Sequence, residues 1–473
     1  MKNKSKILYH VEILKIIQNW SESIKGKMIK SDSPLDGIDA SLNYKRKGFT
    51  IEFDDGYKPL KLDVGQRHKK IAFESPLSNV VFEYVWLLHH SPPFFSGDVD
   101  FFYTKGYSKK REYYYRLVFV LDKKFDFHYQ IEETGYTSDL VWSRTGTKAV
   151  IDGDELTAYT FTDSGHANNY FAIETDAKMN YDTFSNKAFA LKNAVGYLTG
   201  FLAGDGGYFF AYQNKGMKNI SHYYYCSFRD TIRSNYCPLH TNPYSVLHDK
   251  RKIAEKLYNK KMLKPVSLEQ LSNLANKLYT SLEFAGALIL MLESSVASLL
   301  FMPGGYAIAL ETLSDLIIGS DKLKLAPIKD KSKSKALRKV LLVVLENECS
   351  TLPFEDLAVL KTRIEQINQM TNGERLKAPF TKLGIKLLDK DIEILKSRND
   401  FLHGRIPDIS KSNAELNIDK KNRDLYYASM RFYTLLNMLV LKWIGFDNYI
   451  INYAKLREDY SQIKMKEPYY RKL

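Results

Sequence analysis

Arg398, Asn399 and His403 lie within the run Leu395-Lys396-Ser397-Arg398-Asn399-Asp400-Phe401-Leu402-His403-Gly404-Arg405. These residue types suit cleavage of RNA without a metal ion. An imidazole that titrates near neutrality can take the proton from a ribose 2′-hydroxyl. The oxyanion so formed attacks the adjacent phosphorus, and a guanidinium stabilises the charge that builds on the phosphorane. The products of that route are a 2′,3′-cyclic phosphate and a 5′-hydroxyl. In this scheme Asn399 holds either the imidazole tautomer or the phosphate, and Arg405 is a candidate substrate contact.

The position of the arginine is as informative as its type. Ile394 and Leu395 precede Arg398 by one helical turn, and Phe401 and Leu402 follow it by one. Residues three and four apart share a helix face, so Arg398 falls within an apolar stripe. A guanidinium stays charged, and burying it unpaired costs several kcal/mol. Two readings follow: a carboxylate (Asp391, Glu393, Asp400 or Glu311) neutralises it, or the site is built to meet an anion. Asn399 and His403 face the same way, whereas Arg398 and His403 diverge by roughly 140° on a helix. The long arginine side chain, and a helix end or bend at Gly404, would let the two approach. The plainer alternative is a salt-bridged core arginine with a histidine at the C-terminal end of a helix dipole. An arginine followed by a histidine a few residues on is poor evidence by itself. The chain carries a second case, Arg233 to His240, discounted because Pro238 breaks the helix it would need.

Arg398, Asn399 and His403 match the Arg-polar-x-x-x-His signature of HEPN ribonucleases, and the C-terminal region resembles the ApeA-like branch of that superfamily, found in bacterial anti-phage proteins. The resemblance implies an RNA endonuclease toxin of abortive anti-phage defence, with cellular RNA or transfer RNA as target and a phage-derived trigger. It also implies a homodimer formed through the helical domain, in which both Arg–His sets line one cleft. Glu311, in Ala309-Leu310-Glu311-Thr312-Leu313, is similar to an acidic early-helix position of some HEPN domains. Two rivals stand beside this reading: a non-catalytic RNA-binding or scaffold protein, and an inactive HEPN partner that regulates another toxin.

The elements that must position such a site can be read along the chain. At 473 residues the chain exceeds one ordinary domain. An α+β chain is expected, its β-rich, antiparallel, sandwich-like N-terminal module preceding an all-α bundle. The boundaries are 1–236 for a recognition or sensor module, 237–264 for a basic connecting segment and 265–473 for the helical domain. Strands are predicted at Gly48–Phe53, Val80–Leu88, Tyr113–Leu121, Phe125–Ile131, Thr157–Phe161, Tyr208–Tyr212 and His222–Phe228. Turns are predicted at Asp54-Asp55-Gly56, Ser91-Pro92-Pro93, Asp163-Ser164-Gly165 and Gly204-Asp205-Gly206-Gly207. A helix is expected over Ser185–Leu202, and helical spacing of leucines runs from Ser267 almost to the end. Phe284–Met302 has borderline length for a membrane span, but Glu293, Ser294 and Ser295 at its middle favour a buried helix, and no membrane association is expected.

The remaining signals are weaker. A net charge of +14 favours polyanionic partners. Basic residues gather from Lys250 to Lys264 and from Lys322 to Lys339; the stretch Lys329–Lys335 reads as a solvated loop. Three cysteines, with no Cys-x-x-Cys pair, argue against a disulfide framework or a cysteine-rich zinc site and point to the cytoplasm. His89-His90 reads as a loop at a strand end. The tyrosine runs at 113–115 and 223–225 fit sheet packing better than base stacking. No phosphate loop or zinc motif occurs, so no cofactor or metal is expected.

Overall fold

The computed structural model of the chain describes residues 6–8, 10–30, 35–45, 48–53, 67–77, 79–89, 95–138, 143–163, 168–242, 251–319, 326–349, 351–405, 407 and 418–473. The turns predicted at 54–56 and 91–93, residue His90 and most of the turn at 163–165 lie outside these. Two compact units form, Met1–Val296 and Ala297–Leu473.

The first unit begins with β1 (Lys6–Leu8), α1 (Val11–Ser21), β2 (Ile24–Ile29), β3 (Asp39–Lys45), β4 (Gly48–Phe53), β5 (Arg67–Glu74), β6 (Asn79–His89) and β7 (Phe95–Val99). Strands β2, β3, β4, β7, β6 and β5 pair in that order, and β5 returns to β2, so six antiparallel strands close into a barrel. Closure removes sheet edges and leaves one face of each strand to fill the interior. Met28, Leu42, Ile51, Ile71, Phe73, Phe82 and Val85 are buried there. Trp20 of α1 joins the same core, and its indole N–H donates to the Tyr223 hydroxyl at 3.1 Å.

The chain goes on with β8 (Phe101–Thr104), which pairs with β6, and then β9 (Tyr114–Leu121), β10 (Thr134–Ser138), β11 (Ser143–Ile151), β12 (Asp154–Thr162) and β13 (Asn169–Thr175). After α2 (Tyr181–Thr199) and β14 (Phe201–Leu202) come β15 (Gly206–Tyr212), β16 (His222–Ser227) and β17 (Ile232–Arg233). β9 is central, flanked by β13 and β15, and its run of aromatic and β-branched residues is buried on both faces. The tyrosine runs do pack in the sheet: Tyr113, Tyr115, Tyr223, Tyr224 and Tyr225 are all buried. At the predicted glycine turn, Asp205 takes a left-handed backbone (φ 62). A Cβ on Gly204 would run into the Arg229 carbonyl, so only glycine fits there.

One expected strand is absent. Phe125–Ile131 forms turns instead, with Gln130 and Ile131 N–H groups both donating to the Phe127 carbonyl. Its aromatic residues gain burial by ring packing, Phe125 stacking on Phe201 at 4.6 Å between centroids, without joining the sheet ladder. The helical pattern begins as expected, but its first helices belong with the sheet. α3 (Arg251–Asn259), α4 (Leu268–Thr280) and α5 (Leu282–Val296) lie in the first unit. Ser267 caps α4 in a capping box with Gln270. Asn276 of α4 then accepts from Asp152 N–H at 2.8 Å and donates to the Val150 carbonyl at 2.7 Å, holding the helix on the β11–β12 turn. The helical region therefore begins at Arg251, and its first three helices are counted with the sheet in the compact unit that ends at Val296. Among the described residues no helix is long and apolar enough to cross a membrane.

The second unit contains α6 (Met302–Ile318), α7 (Lys331–Glu348), α8 (Phe354–Glu365), α9 (Asn372–Lys382), α10 (Asp389–Leu402) and α11 (Ile418–Trp443). A C-terminal segment follows: β18 (Tyr449–Ile451), two short helices α12 (Tyr453–Leu456) and α13 (Glu458–Ser461), and β19 (Tyr470–Lys472). α11 is the core helix, buried almost continuously from Asp424 to Leu441. α6, α10 and the C-terminal segment pack around it.

His240, in the first unit, is half-buried and stacks on Tyr129, and its Nδ1 accepts the Asn242 N–H at 3.1 Å. Burial, with His128 beside it, lowers its pKa to about 4. Because the folded value lies below that of the unfolded chain, the neutral ring stabilises the fold fully above about pH 6.5 and progressively less as pH falls to 4. Urea melts of the first unit's transition should show about 2 kcal/mol lost over that window, and His240→Gln should remove most of the loss.

Candidate functional site

α10 carries the predicted residues, and both its ends are fixed. At its start Asp391, fully buried, accepts from Arg431 of α11 at 3.0 Å and from Arg471 of β19 at 2.9 Å. The other face of this cluster is Glu467, whose carboxylate grips Arg431 at 2.7 Å and accepts from Asn452 at 3.0 Å. Burial pushes the Glu467 carboxyl up, but its bonds to Arg431 outweigh burial and hold it below the usual carboxylate value. Asp391 also accepts the Leu388 N–H at 2.8 Å, closing the helix start. Four charged groups of balanced sign thus meet where three parts of the unit join.

At its end α10 stops at His403 with a Schellman arrangement. Gly404 N–H donates to the Phe401 carbonyl at 3.2 Å, and Arg405 N–H to the Asp400 carbonyl at 2.7 Å. Gly404 is left-handed (φ 67), the conformation that glycine adopts without cost. The predicted helix end at Gly404 is therefore present, and it leaves His403, Gly404 and Arg405 exposed.

Between these ends Arg398 is buried, with 6% of its surface exposed. Of the four candidate carboxylates, Glu311 of α6 is the one that pairs with its Nη2. Its Nη1 donates to the Asn399 side-chain oxygen. Its Nε is buried with no partner among the described residues. Asp391 is committed to the Arg431 cluster and Glu393 pairs with Lys390, which removes both as neutralisers. The Glu311 side chain is 27% exposed, so the pair borders solvent at one edge. Arg398 and Asn399 come together, but among the described residues no side-chain hydrogen bond joins either to the His403 imidazole; His403 N–H donates to the Asn399 carbonyl at 3.1 Å, as the helix requires. Asn399 therefore orients the guanidinium and not the imidazole, because the adjacent arginine lies closer to its amide than the residue one turn on.

α6 presents a stripe beside this pair. Phe301 and Ile308 are 71% and 49% exposed, and Ile308 lies one turn before Glu311 and Thr312. The other Arg–His case separates: Arg233 pairs with Asp122 while His240 stacks on Tyr129.

One charged feature of this unit was misread in the sequence. The stretch predicted as a solvated loop is helical from Lys331, because Asp330 accepts N–H bonds from Ser332 and Lys333 at 2.8 and 3.2 Å. Asp330 standing immediately before a helical leucine spacing was the available signal. Compared with known proteins, the chain matches no family model, no curated sequence and no solved structure.

Removing one partner of the Arg398–Glu311 pair leaves a buried charge exposed to no compensation. Glu311→Gln should destabilise the second unit by about 2 kcal/mol, and Arg398→Met in the same chain should recover most of it; a double-mutant cycle on chemical melts measures the coupling. Gly404→Ala should cost about 1 kcal/mol by the same measurement.

Proposed function

We propose that the chain is a metal-independent endoribonuclease of the HEPN type, acting in the cytoplasm as a dimer in abortive anti-phage defence. What carries the reading is the end of α10: a buried arginine fixed by Glu311 and Asn399 stands five residues before an exposed histidine at a glycine-terminated helix end. The residues are those of the HEPN signature, and the Glu311 pairing accounts for a charge in an apolar stripe.

In this mechanism the neutral His403 imidazole takes the 2′-hydroxyl proton. The 2′-oxygen bonds to the adjacent phosphorus, and the bond to the 5′-oxygen breaks. That oxygen leaves with a proton from the imidazolium of the second copy or from water. Arg398 contributes positive charge to the phosphorane through the Nη hydrogens that Glu311 and Asn399 do not use. Asn399 and Glu311 are positioning residues, and Arg405 meets the neighbouring phosphate. A dimer contact near the site would draw on exposed Ile308, one turn before Glu311, and on exposed Phe301 at the N-cap of α6. Two copies apposed there would bring two imidazoles and two guanidiniums to one trough.

A second reading has its own observation. Arg398 is paired within the chain and makes no bond to His403, as in a structural core arginine of a non-catalytic RNA-binding, scaffold or regulatory protein. Purified wild type, His403→Ala and Arg398→Ala incubated with total RNA and transfer RNA in excess chelator separate the two. The nuclease reading expects cutting by wild type and a loss of at least about a hundredfold in each variant, with the dimer intact by light scattering. Equal RNA binding by all three proteins with no cutting, including after infection of cells expressing them, supports the scaffold.

A further inference from the structure

α7 carries a cost that its Asp330 cap offsets only in part. Lys331, Lys335 and Lys339 lie at successive i, i+4 positions, where like charges repel. The first turn holds no acidic residue, so three lysines within its first five positions face the positive end of the helix dipole. None of Lys329, Lys331, Lys335 and Lys339 has an ion-pair partner among the described residues, and Arg338 reaches only Ser334, at 3.4 Å.

These five cations converge on a cleft of about 770 Å³ between α7, the end of α8 and the segment leading into α7. That leading segment is held rigid: Asn368 accepts the Ile328 N–H at 2.7 Å and donates to the Ile328 carbonyl at 2.9 Å. Carboxylates do little to cancel the charge. Glu346 on the cleft wall is engaged by Lys361 at 2.9 Å, and Asp330 is used as the helix cap, leaving Glu365. Leu342 and Val343 supply apolar surface, and among the described residues no aromatic ring lines the cleft.

We propose that this cleft is an RNA-backbone groove, separate from the Arg398–His403 site, that holds single-stranded RNA by its phosphates without reading bases. A regularly charged polymer matches cations spaced about 6 Å apart along one helix edge, the rise of four residues. The lack of aromatic rings excludes base stacking, the usual alternative for single strands. The identity of the polyanion as RNA rests on the ribonuclease reading; the charge complementarity does not.

The test is binding, measured in chelator with full-length His403→Ala so that cutting plays no part. The probe is a fluorescein-labelled single-stranded oligouridylate, compared with Lys331→Glu/Lys335→Glu/Lys339→Glu in the same background. The groove expects at least a tenfold loss of affinity, and a salt dependence shallower by about 2 in log–log slope for three lost phosphate contacts. Helix content and thermal midpoint should be kept, because acidic residues suit the positive end of the helix dipole even though like charges still stand at i, i+4. If that variant does not fold, the Lys→Gln triple replaces it, with a smaller loss expected in the same direction. Affinity within twofold of the parent overturns the proposal. So does failure of the parent to bind the oligonucleotide, or preferential binding of polyglutamate, which assigns the cleft to an acidic protein partner. A chain that binds through the cleft but never cuts keeps the groove and sinks the nuclease; a chain that cuts while the triple variant binds normally sinks the groove alone.

Discussion

Two guanidiniums and two carboxylates, three of them buried and Glu467 at the edge, decide where the helix bearing Arg398 lies. Arg431 and Asp391 are fully buried, and Arg471 and Glu467 complete a set of balanced charge. Removing any one member would strand a buried ion, a loss of several kcal/mol. The set joins the start of α10, the middle of α11 and the C-terminal strand, so the fold of the second unit and the placement of α10 are one problem. With the helix start pinned there and its end pinned by Arg398 to Glu311, the position of His403 follows from the helix that carries it, through its N–H bonds to the Asn399 and Asp400 carbonyls.

This arrangement explains how an arginine survives in an apolar stripe. Neutralisation by a carboxylate and recognition of an anion need not compete, because Glu311 engages one edge of the guanidinium and borders solvent. A partly neutralised guanidinium held rigidly by two partners costs little to bury and loses little conformational freedom when a phosphate arrives. The exposed imidazole stays on the solvent side of the helix end. In the proposed dimer, phosphate binding would draw on residues that each copy has already ordered.

Much of this was legible in the residues. The strands at Gly48–Phe53, Val80–Leu88 and Thr157–Phe161 follow their aromatic and β-branched runs, and Ser267 with Gln270 marks the start of α4. Gly404 announced the end of α10, and Glu311 was among the four carboxylates weighed for Arg398. What escaped was long-range. Nothing local says that Asn276 would serve the β11–β12 turn and draw α4 and α5 into the first unit. Phe125 and Phe127 have the composition of a strand, yet ring packing satisfies them without pairing. Barrel closure depends on β5 returning to β2 across a long separation, which alternation along single strands cannot reveal. Asp391 looked like one more acid near Arg398, because its true partners lie 40 and 80 residues away.

The central claim is that His403 and Arg398 direct a 2′-oxygen onto phosphorus. The chemistry of the cut ends reports on this directly. RNA exposed to the activated wild-type protein in excess chelator should carry 2′,3′-cyclic phosphates and 5′-hydroxyls when its termini are resolved by mass spectrometry. Termini bearing 3′-hydroxyls and 5′-phosphates would place the attacking oxygen on water and contradict the account.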